Sequence, residues 1–278
     1  MNQDKRGNLL RNIRDMSSVV VAYSGGVDST LLAHLAFTEL GSKSVAVTAV
    51  SPSLATAELD LSKDLARQLG LCQVLLNSNE VEDQRYRENT QLRCYWCKHE
   101  VYGLLVSYAN EQGFDFVIDG TNLDDTRDAR PGRKAAKEYG VRSPLLDVKM
   151  TKSEVREYAK SLGLPNWNKP AMACLSSRIP YGTPVEISIL TQVEQAELAL
   201  SKLGIRQARV RHHGQIARLE LGEADFGIAI QRREQILESL RRLGYIYVAL
   251  DLAGYGSGSH NYLAESDNGH RTLTFHPD

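Results

Sequence analysis

Short apolar runs alternate with amphipathic segments over the first 165 residues. The runs are rich in β-branched residues and are bounded by turn-forming residues, which is typical of buried strands. Four of them are present, at 19–22, 44–50, 71–76 and 114–120. The segments between them show helical spacing of apolar residues, at 31–40, 54–70 and 101–113. Strands that alternate with helices predict a doubly wound α/β fold with a parallel sheet, in which ligands bind beyond the carboxyl ends of the strands.

The texture of the chain changes after a further predicted helix. A helix is predicted at 151–163, where Thr151 and Glu154 have the spacing of a capping box. Residues 164–184 contain four of the eight prolines and show little periodicity, which indicates a linker or an active-site segment. A second alternation follows, with helices at 186–203 and 226–243 and strands near 207–212, 215–221 and 245–250. This order predicts a small C-terminal α+β domain with a short antiparallel sheet.

The length of 278 residues corresponds to about two domains. We place them at 1–165 and 186–252, joined by a linker or active-site segment at 166–185, with a flexible tail at 253–278. Hydrophobic residues make up 42% and charged residues 24%, which excludes a disordered, collagen-like or disulfide-dense protein. The 33 basic and 34 acidic side chains nearly cancel, and this balance disfavours a dedicated nucleic-acid binder.

No run of about 18 apolar residues is present, so no membrane-spanning segment is expected. The N-terminal residues are polar and lack the apolar region of a signal peptide. We therefore expect a cytoplasmic protein with four cysteines. In a reducing compartment, cysteines are catalytic or metal-bound more often than they are disulfide-bonded.

The segment Ser24-Gly25-Gly26-Val27-Asp28-Ser29 joins the first strand to the first helix. Adjacent glycines let successive N–H groups point inward, and the helix N-terminus adds its dipole, so phosphate binding is predicted. The spacing fits neither a Walker loop nor a dinucleotide-binding turn. An acid beside bound phosphate is expected to hold Mg²⁺, which assigns that role to Asp28. The alternative is an ordinary strand–helix turn whose serine and aspartate cap the helix.

A second polar loop, Asp119-Gly120-Thr121-Asn122, follows the strand at 114–120. Its position at the carboxyl end of a strand predicts that it lines the same site. The next residues, Asp124 and Asp125, either assist a metal or cap the following helix. Arg130 and Arg142 are candidates to neutralise phosphate charge.

Three of the cysteines form a candidate metal site. Cys94 and Cys97 make a C-x-x-C pair, and Cys174 lies in the proline-rich segment. Three thiolates suit a [4Fe-4S] cluster with one iron free of protein ligands. The alternatives are a redox or persulfide pair, a zinc site with His99 as a further ligand, and inert thiols. Cys72 lies within a predicted strand and is expected in the core.

The Ser-Gly-Gly-Val-Asp-Ser segment resembles the pyrophosphate-binding loop of the PP-loop ATP pyrophosphatases, and residues 119–125 are similar to their second nucleotide-side motif. The whole chain resembles the LarE-type ATP-dependent sulfur transferases, which contribute to the nickel-pincer cofactor of lactate racemase. The motifs that carry this resemblance lie at 24–30, 166–169, 176–183, 209–221 and 244–252. It implies a PP-loop (adenine nucleotide alpha hydrolase-like) domain that binds ATP and Mg²⁺. The implied reaction is adenylylation of a carboxylate of a pyridinium mononucleotide, followed by sulfur transfer to give a thiocarboxylate.

The resemblance also implies roles for individual residues. Arg209 and Arg211 would bind the substrate phosphate, and their alternation on a predicted strand places both side chains on one face, the alternative being a solvated strand face. Ser177 and Arg178 would lie beside the nucleotide or substrate. Trp96 either stacks on an aromatic ring or packs in the protein, and the neighbouring histidines, His212 and His213, are expected at the surface.

This chain departs from the members of the family that give up one cysteine as the sulfur source. The aligned position is Ala173, with Cys174 one place later. The chain instead resembles the variant whose three cysteines hold a [4Fe-4S] cluster, which needs a sulfide donor or a sulfur relay. The resemblance further implies a homo-oligomer such as a hexamer.

Three other functions remain open from the residues. A PP-loop tRNA thiolase uses a similar three-cysteine cluster, and the balanced charge counts against it. An ammonia-using amidotransferase-like ligase has no use for the three cysteines. A non-catalytic nucleotide-binding module would bind ATP without releasing pyrophosphate.

Overall fold

The computed structural model describes residues 3–126, 131–171 and 173–256. The chain divides into two compact units. Unit 1 comprises residues 1–174 and 184–186, and unit 2 comprises residues 175–183 and 187–278. The described residues of unit 1 form four strands and eight helices: α1 (Gln3–Arg14), β1 (Val19–Ala22), α2 (Val27–Leu40), β2 (Ser44–Val50), α3 (Thr56–Gln68), β3 (Gln73–Asn77), α4 (Gln84–Arg87), α5 (Arg93–Gln112), β4 (Phe116–Ile118), α6 (Gly132–Glu138), α7 (Pro144–Asp147) and α8 (Lys152–Ser161).

The sheet of unit 1 is parallel, with the strand order β3-β2-β1-β4. β1, one of its two inner strands, contains a run of three β-branched valines, which suits a strand covered on both faces. Val19 and Val21 belong to one buried cluster, together with residues of α1, α2 and α8. Val20 belongs to a second cluster, with Leu105 and Ala109 of α5. Because successive side chains of a strand point to opposite faces, helices cover both faces, and the predicted doubly wound α/β fold is confirmed.

Unit 2 contains the remaining elements: α9 (Ile187–Lys202), β5 (Ala208–His213), β6 (Ile216–Leu221), α10 (Phe226–Gln231), α11 (Arg233–Arg242) and β7 (Tyr247–Leu250). The strands form a separate sheet in the order β5-β6-β7. Its core is formed by apolar residues of α9, α11 and the strands, including Leu200, Val210, Leu219 and Leu240. The second, smaller α+β domain is therefore present.

The sheet of unit 2 differs in one respect from the prediction. β5 and β6 are antiparallel, as expected, whereas β7 runs parallel to β6. A parallel pair needs a long crossover connection, and the segment that contains α10 and α11 supplies one. The predicted helix at 226–243 is two helices that meet at Arg232. Among the described residues, no helix has the length and apolar character needed to cross a membrane.

Candidate active site

The loop between β1 and α2 has the backbone geometry of an anion-binding turn. Gly25 has a φ of +70°, a conformation that favours glycine, and a Cβ at this position would lie 2.9 Å from the Cβ of Ser62. Gly26 is the N-cap of α2, and the first amides of a helix have no acceptor within the helix. The hydroxyl of Ser29 accepts a hydrogen bond from the Ser24 amide and donates one to the Gly26 carbonyl. The loop is thus held by its own serines, with amides of the helix N-terminus available to phosphate oxygens.

The second loop packs directly against this turn. The Cα of Gly120 approaches so closely that a Cβ there would lie 2.9 Å from the Ser29 nitrogen and 3.0 Å from the Asp28 Cβ. Asn122 donates a hydrogen bond from Nδ2 to Oδ1 of Asp28, at 3.2 Å. The structure therefore brings together the two loops on which the sequence placed the ATP-binding residues.

Asp28 has a cationic partner that the sequence did not indicate. Nζ of Lys152, the first residue of α8, forms an ion pair with Oδ2 of Asp28. The Asp28 carboxylate remains partly accessible, with 21% of the side chain exposed. A carboxylate, an amide and a lysine thus meet beside a phosphate-binding turn, and this combination fits Mg²⁺ together with phosphate oxygens. The capping box of α8 was recognised, but nothing in its sequence indicated where the lysine between its two members points.

Asp119 is saturated by donors from the protein itself. Its Oδ2 accepts hydrogen bonds from the hydroxyls of Tyr102 at 2.7 Å and Thr121 at 2.9 Å. Its Oδ1 accepts from the Thr121 amide and from the Ser143 hydroxyl. The side chain is 6% exposed. With these four donors, Asp119 shapes the loop and links it to α5, which carries two of the candidate cysteines.

The neighbouring acids act as caps in this structure. Asp124 accepts a hydrogen bond from the backbone amide of Lys152, and Asp125 accepts one from the amide of Asn122. The guanidinium group of Arg142 lies over the ring of Phe116, 3.8 Å from its centroid. The predicted candidate Arg130 lies outside the described residues.

Two further residues of unit 1 touch the phosphate-binding turn. Asn166, which is buried, donates from Nδ2 to the Gly25 carbonyl and to the Thr30 hydroxyl, each at 3.0 Å. Lys169 pairs with Glu58 at 2.6 Å, and its Nζ lies 3.5 Å from the Gly25 carbonyl. Both belong to the Asn-Trp-Asn-Lys motif at 166–169, so the sequence signal was present without an assigned role.

The three candidate cysteines belong to unit 1 and form no disulfide. Cys94 and Cys97 lie on the first turn of α5; Cys94 and Cys174 are exposed, and Cys97 is half-buried. Burial raises the pKa of Cys97, and so do the nearby Glu80, Cys174 and Cys94. Across the described ranges, no group of three His, Cys, Asp or Glu side chains is close enough to hold a metal ion.

Glu80 is an unexpected neighbour of this site. It is buried, and it accepts hydrogen bonds from the hydroxyls of Ser51, Ser53 and Ser78. These serines follow the carboxyl ends of β2 and β3, so the carboxylate ties together the ends of two adjacent strands. No motif in the sequence identified it.

Unit 2 carries a cluster of buried arginines. Arg178 makes a bidentate pair with Glu197, at 2.9 and 3.0 Å. Arg211 donates to Glu220 at 2.7 Å and to the Ser177 carbonyl at 2.6 Å. Arg209 lies on the same strand, and like Arg178 and Arg211 it is buried. The structure thus gathers all four predicted substrate-phosphate residues, and buried guanidinium groups with planar donor forks suit phosphate.

Two expectations about individual residues are wrong. Cys72 is exposed, because it immediately precedes β3, which is an edge strand. His212 is buried and contacts the hydroxyl of Tyr245 at 3.3 Å, because it lies on the face of β5 opposite Arg211; His213 is exposed, as expected.

Trp96 packs within the protein. It is half-buried, the guanidinium group of Arg85 lies 3.8 Å from its ring centroid, and Tyr95 meets it edge-on.

Comparison with known proteins connects these features. Residues 8–91, which include the phosphate-binding turn, match the NAD synthase family model. The chain is 43% identical to an uncharacterised protein of Synechocystis sp., over 94% of this chain and 98% of that protein. It is 39% identical to the pyridinium-3,5-bisthiocarboxylic acid mononucleotide synthase of Lactiplantibacillus plantarum, over 92% of this chain and 94% of the synthase. An uncharacterised protein of Methanocaldococcus jannaschii is 29% identical over 86% of this chain and 91% of its own length.

The similarity to the synthase covers 92% of this chain and therefore extends over both units. The parallel sheet with helices on both faces is the architecture expected of a PP-loop domain. The chain belongs to the LarE-type family of PP-loop, ATP-dependent sulfur transferases, and it is an ATP-dependent enzyme.

Proposed function

We propose that this enzyme adenylylates a carboxylate of a pyridinium mononucleotide and converts it to a thiocarboxylate, in the synthesis of the nickel-pincer cofactor of lactate racemase. One observation carries the proposal: each unit has its own arrangement for binding phosphate. The turn at 24–29 suits the phosphates of ATP, and the arginine cluster suits a second, smaller phosphate. An enzyme that joins ATP to a mononucleotide needs both. The name of the Lactiplantibacillus synthase identifies the mononucleotide class.

The first step forms one bond and breaks one. A carboxylate oxygen of the substrate attacks the α-phosphorus of ATP, and pyrophosphate leaves with the electron pair of the broken bond. The negative charge that develops on pyrophosphate is stabilised by amides of the turn at 24–29. Gly120, Thr121 and Asn122, held in place by Asp119, form the other side of the ATP site.

Asp28 is the proposed Mg²⁺ ligand, and Asn122 and Lys152 are its neighbours. The oxygen donors of Asp28 and Asn122 suit Mg²⁺. When bound, Mg²⁺ would neutralise charge on the phosphates of ATP. Lys152, which pairs with Asp28 in this structure, would then be free to contact a phosphate oxygen.

The substrate is held through its phosphate in unit 2. Arg178, Arg209 and Arg211 supply guanidinium donors, and Ser177, which is fixed through its carbonyl by Arg211, supplies a hydroxyl. A dianionic phosphate fits a group of buried cations better than a neutral ligand would.

The thiols of Cys94, Cys97 and Cys174 are the proposed ligands of a [4Fe-4S] cluster. Their chemistry suits that group, since two segments of unit 1 supply three thiols that form no disulfide. When bound, such a cluster leaves one iron free of protein ligands and supplies a position for an extra sulfide.

The second step is displacement of AMP. A sulfur nucleophile attacks the acyl carbon, and AMP departs with the original carboxylate oxygen. Cys174 is the proposed catalytic residue that holds this sulfur. The product is a thiocarboxylate, and no net oxidation or reduction takes place if the sulfur enters at the level of sulfide. Each turnover therefore consumes one sulfide equivalent, which a sulfide donor or a sulfur relay must replace. We further propose that the enzyme acts in the cytoplasm as a homo-oligomer, such as a hexamer.

Oxygen labelling tests the reaction. The substrate is pyridinium-3,5-biscarboxylic acid mononucleotide with ¹⁸O in its carboxylates, incubated anaerobically with Mg-ATP and sulfide. The proposal predicts that ¹⁸O appears in AMP and that pyrophosphate forms only when the mononucleotide is present. Unlabelled AMP would contradict it, because the carboxylate oxygen would then not have attacked phosphorus.

A separate experiment tests the sulfur site. Protein purified without oxygen is analysed for iron, sulfide and zinc, and Cys174→Ser is compared with Cys72→Ser, which removes the remaining cysteine. We expect Cys174→Ser to lose iron and thiocarboxylate formation but to retain mononucleotide-dependent pyrophosphate release, and Cys72→Ser to retain all three. Zinc-loaded protein without iron would contradict the cluster assignment and leave the ATP chemistry untouched.

A further inference from the structure

The buried arginines of unit 2 differ in how their charge is balanced. Arg178 has Glu197, and Arg211 has Glu220. Both oxygens of Glu220 are occupied, because Arg218 pairs with Oε1 while Arg211 pairs with Oε2. Arg209 lies opposite Glu220 in the strand register, yet it forms no ion pair with any described residue. It is the cation of this cluster whose charge a substrate phosphate would balance.

Within the described part of the chain, the guanidinium group of Arg209 has one ring contact and one hydrogen bond. It is 7% exposed, and its buried Nε has no hydrogen-bond partner among the described residues. Its guanidinium group lies 4.4 Å from the ring centroid of Tyr255, and Nη1 reaches the Gly256 carbonyl at 3.4 Å. Burial lowers the pKa of Arg209, and the nearby Arg178 and Arg211 lower it further, whereas Tyr255 opposes that shift. An aromatic face is therefore the main support of an otherwise unbalanced cation.

The chain turns sharply after β7 to deliver Tyr255 to this position. The Gly254 amide donates to the Asp251 carbonyl, and Gly254 has a φ of +71°. A Cβ on Gly254 would lie 3.1 Å from the Leu221 carbonyl, to which the Tyr255 amide donates at 2.8 Å. Asp251 is itself anchored by an ion pair with Arg218. The placement of Tyr255 thus depends on a glycine-specific turn that is tied to β6, the strand that carries Glu220.

We propose that Tyr255 is a positioning residue of the substrate-phosphate site, whose ring holds the guanidinium group of Arg209 in the orientation that receives the phosphate. This inference rests on the proposed function, since it presumes that the cluster binds a mononucleotide. Tyr255 acts through Arg209, and its hydroxyl is not required. The phosphate replaces the weak contact with the Gly256 carbonyl as the partner of Nη1.

Calorimetry with the full chain tests this role. The probes are nicotinic acid mononucleotide and its dephosphorylated form, nicotinic acid riboside. Tyr255→Leu should weaken binding of the mononucleotide by about tenfold, the upper range of a cation–π contact, and leave binding of the riboside unchanged. Tyr255→Phe keeps the ring and should bind both probes as the wild type does. Tyr247→Leu removes a tyrosine that is 64% exposed and should have no effect.

A double-mutant cycle shows whether Tyr255 works through Arg209. In an Arg209→Met background, which keeps the length of the side chain, Tyr255→Leu should cause no further loss of mononucleotide affinity. Additive losses, or equal losses for both probes, would overturn the proposal. If the wild type binds the two probes equally, the substrate-phosphate site of the proposed function fails, whatever Tyr255 does. Circular dichroism verifies that each variant is folded, and Tyr255→Phe against Tyr255→Leu still tests the ring if the Arg209 variant is not.

Discussion

Gly120→Ala perturbs the contact between the two nucleotide loops with the smallest possible change. The new Cβ would lie 2.9 Å from the Ser29 nitrogen and 3.0 Å from the carbonyl carbon and Cβ of Asp28. An ordinary van der Waals contact of a Cβ atom begins at 3.4 Å. These atoms belong to backbone and to the start of a helix, so no flexible side chain can move aside. The loops must separate, and overpacking of this kind costs about 1–3 kcal/mol. Since Gly120 does not adopt a positive φ, the effect is steric alone.

The expected functional loss is larger than the loss of stability. Displacement of a catalytic loop by a fraction of an ångström to 1 Å reduces rates by about 100-fold, because the phosphates and Asp28 no longer align. The assay is mononucleotide-dependent pyrophosphate release, measured beside urea denaturation. Gly7→Ala is the control: its Cβ meets nothing within 4 Å, and in the middle of α1 it should stabilise the protein by about 0.5–1 kcal/mol. A Gly120→Ala enzyme with the stability and the ATP dependence of the wild type would refute the loop contact.

Three further predictions concern charge. Lys152→Met should lower kcat/KM for ATP by at least about tenfold, because one charged contact to phosphate is lost. Asp28→Asn should abolish pyrophosphate release. An unchanged rate in either variant contradicts the assigned ATP site. Glu220→Gln should destabilise unit 2 by about 3–5 kcal/mol in denaturant, because it leaves the buried guanidinium group of Arg211 without its acid, while Arg218 keeps its pair with Asp251. Loss of the exposed pair between Arg242 and Glu238 should cost under about 1 kcal/mol. Burial lowers the pKa of His212 below 6.5, so the folded state favours the neutral ring; unfolding free energy should fall as the pH drops through and below 6.5, and His212→Gln should reduce that slope.

The alternation of strands and helices in unit 1 was predictable because its inner strands, β1 and β2, are largely buried. A run such as Val19–Ala22 has no polar face to obscure it. The phosphate-binding turn and the Gly120 loop were predictable for a related reason, since parallel strands bring their carboxyl ends to one edge. The helix α1 was missed although Leu9 and Ile13, both fully buried, have helical spacing, because the charged residues around them dominate the segment.

The roles within the site depended on contacts between residues that are distant in sequence. Asp119 was predicted to be an ATP-binding residue, and in the structure its carboxylate accepts hydrogen bonds from Tyr102, Thr121 and Ser143. No local pattern identifies Tyr102 and Ser143 as its donors. The direction of β7 was also hidden, because strand periodicity carries no information on whether a partner runs parallel or antiparallel. The position of Lys152 depends on where α8 begins, and that of Tyr255 depends on the turn at Gly254; composition and spacing reveal neither contact.

The central claim is that a mononucleotide carboxylate becomes a thiocarboxylate at the expense of ATP. The most direct measurement is mass spectrometry of the mononucleotide after anaerobic turnover with Mg-ATP, pyridinium-3,5-biscarboxylic acid mononucleotide and sulfide. The account predicts a product in which one oxygen has been replaced by sulfur, formed together with AMP and pyrophosphate. An unchanged mononucleotide, or a carboxamide formed when ammonia replaces sulfide, would contradict it.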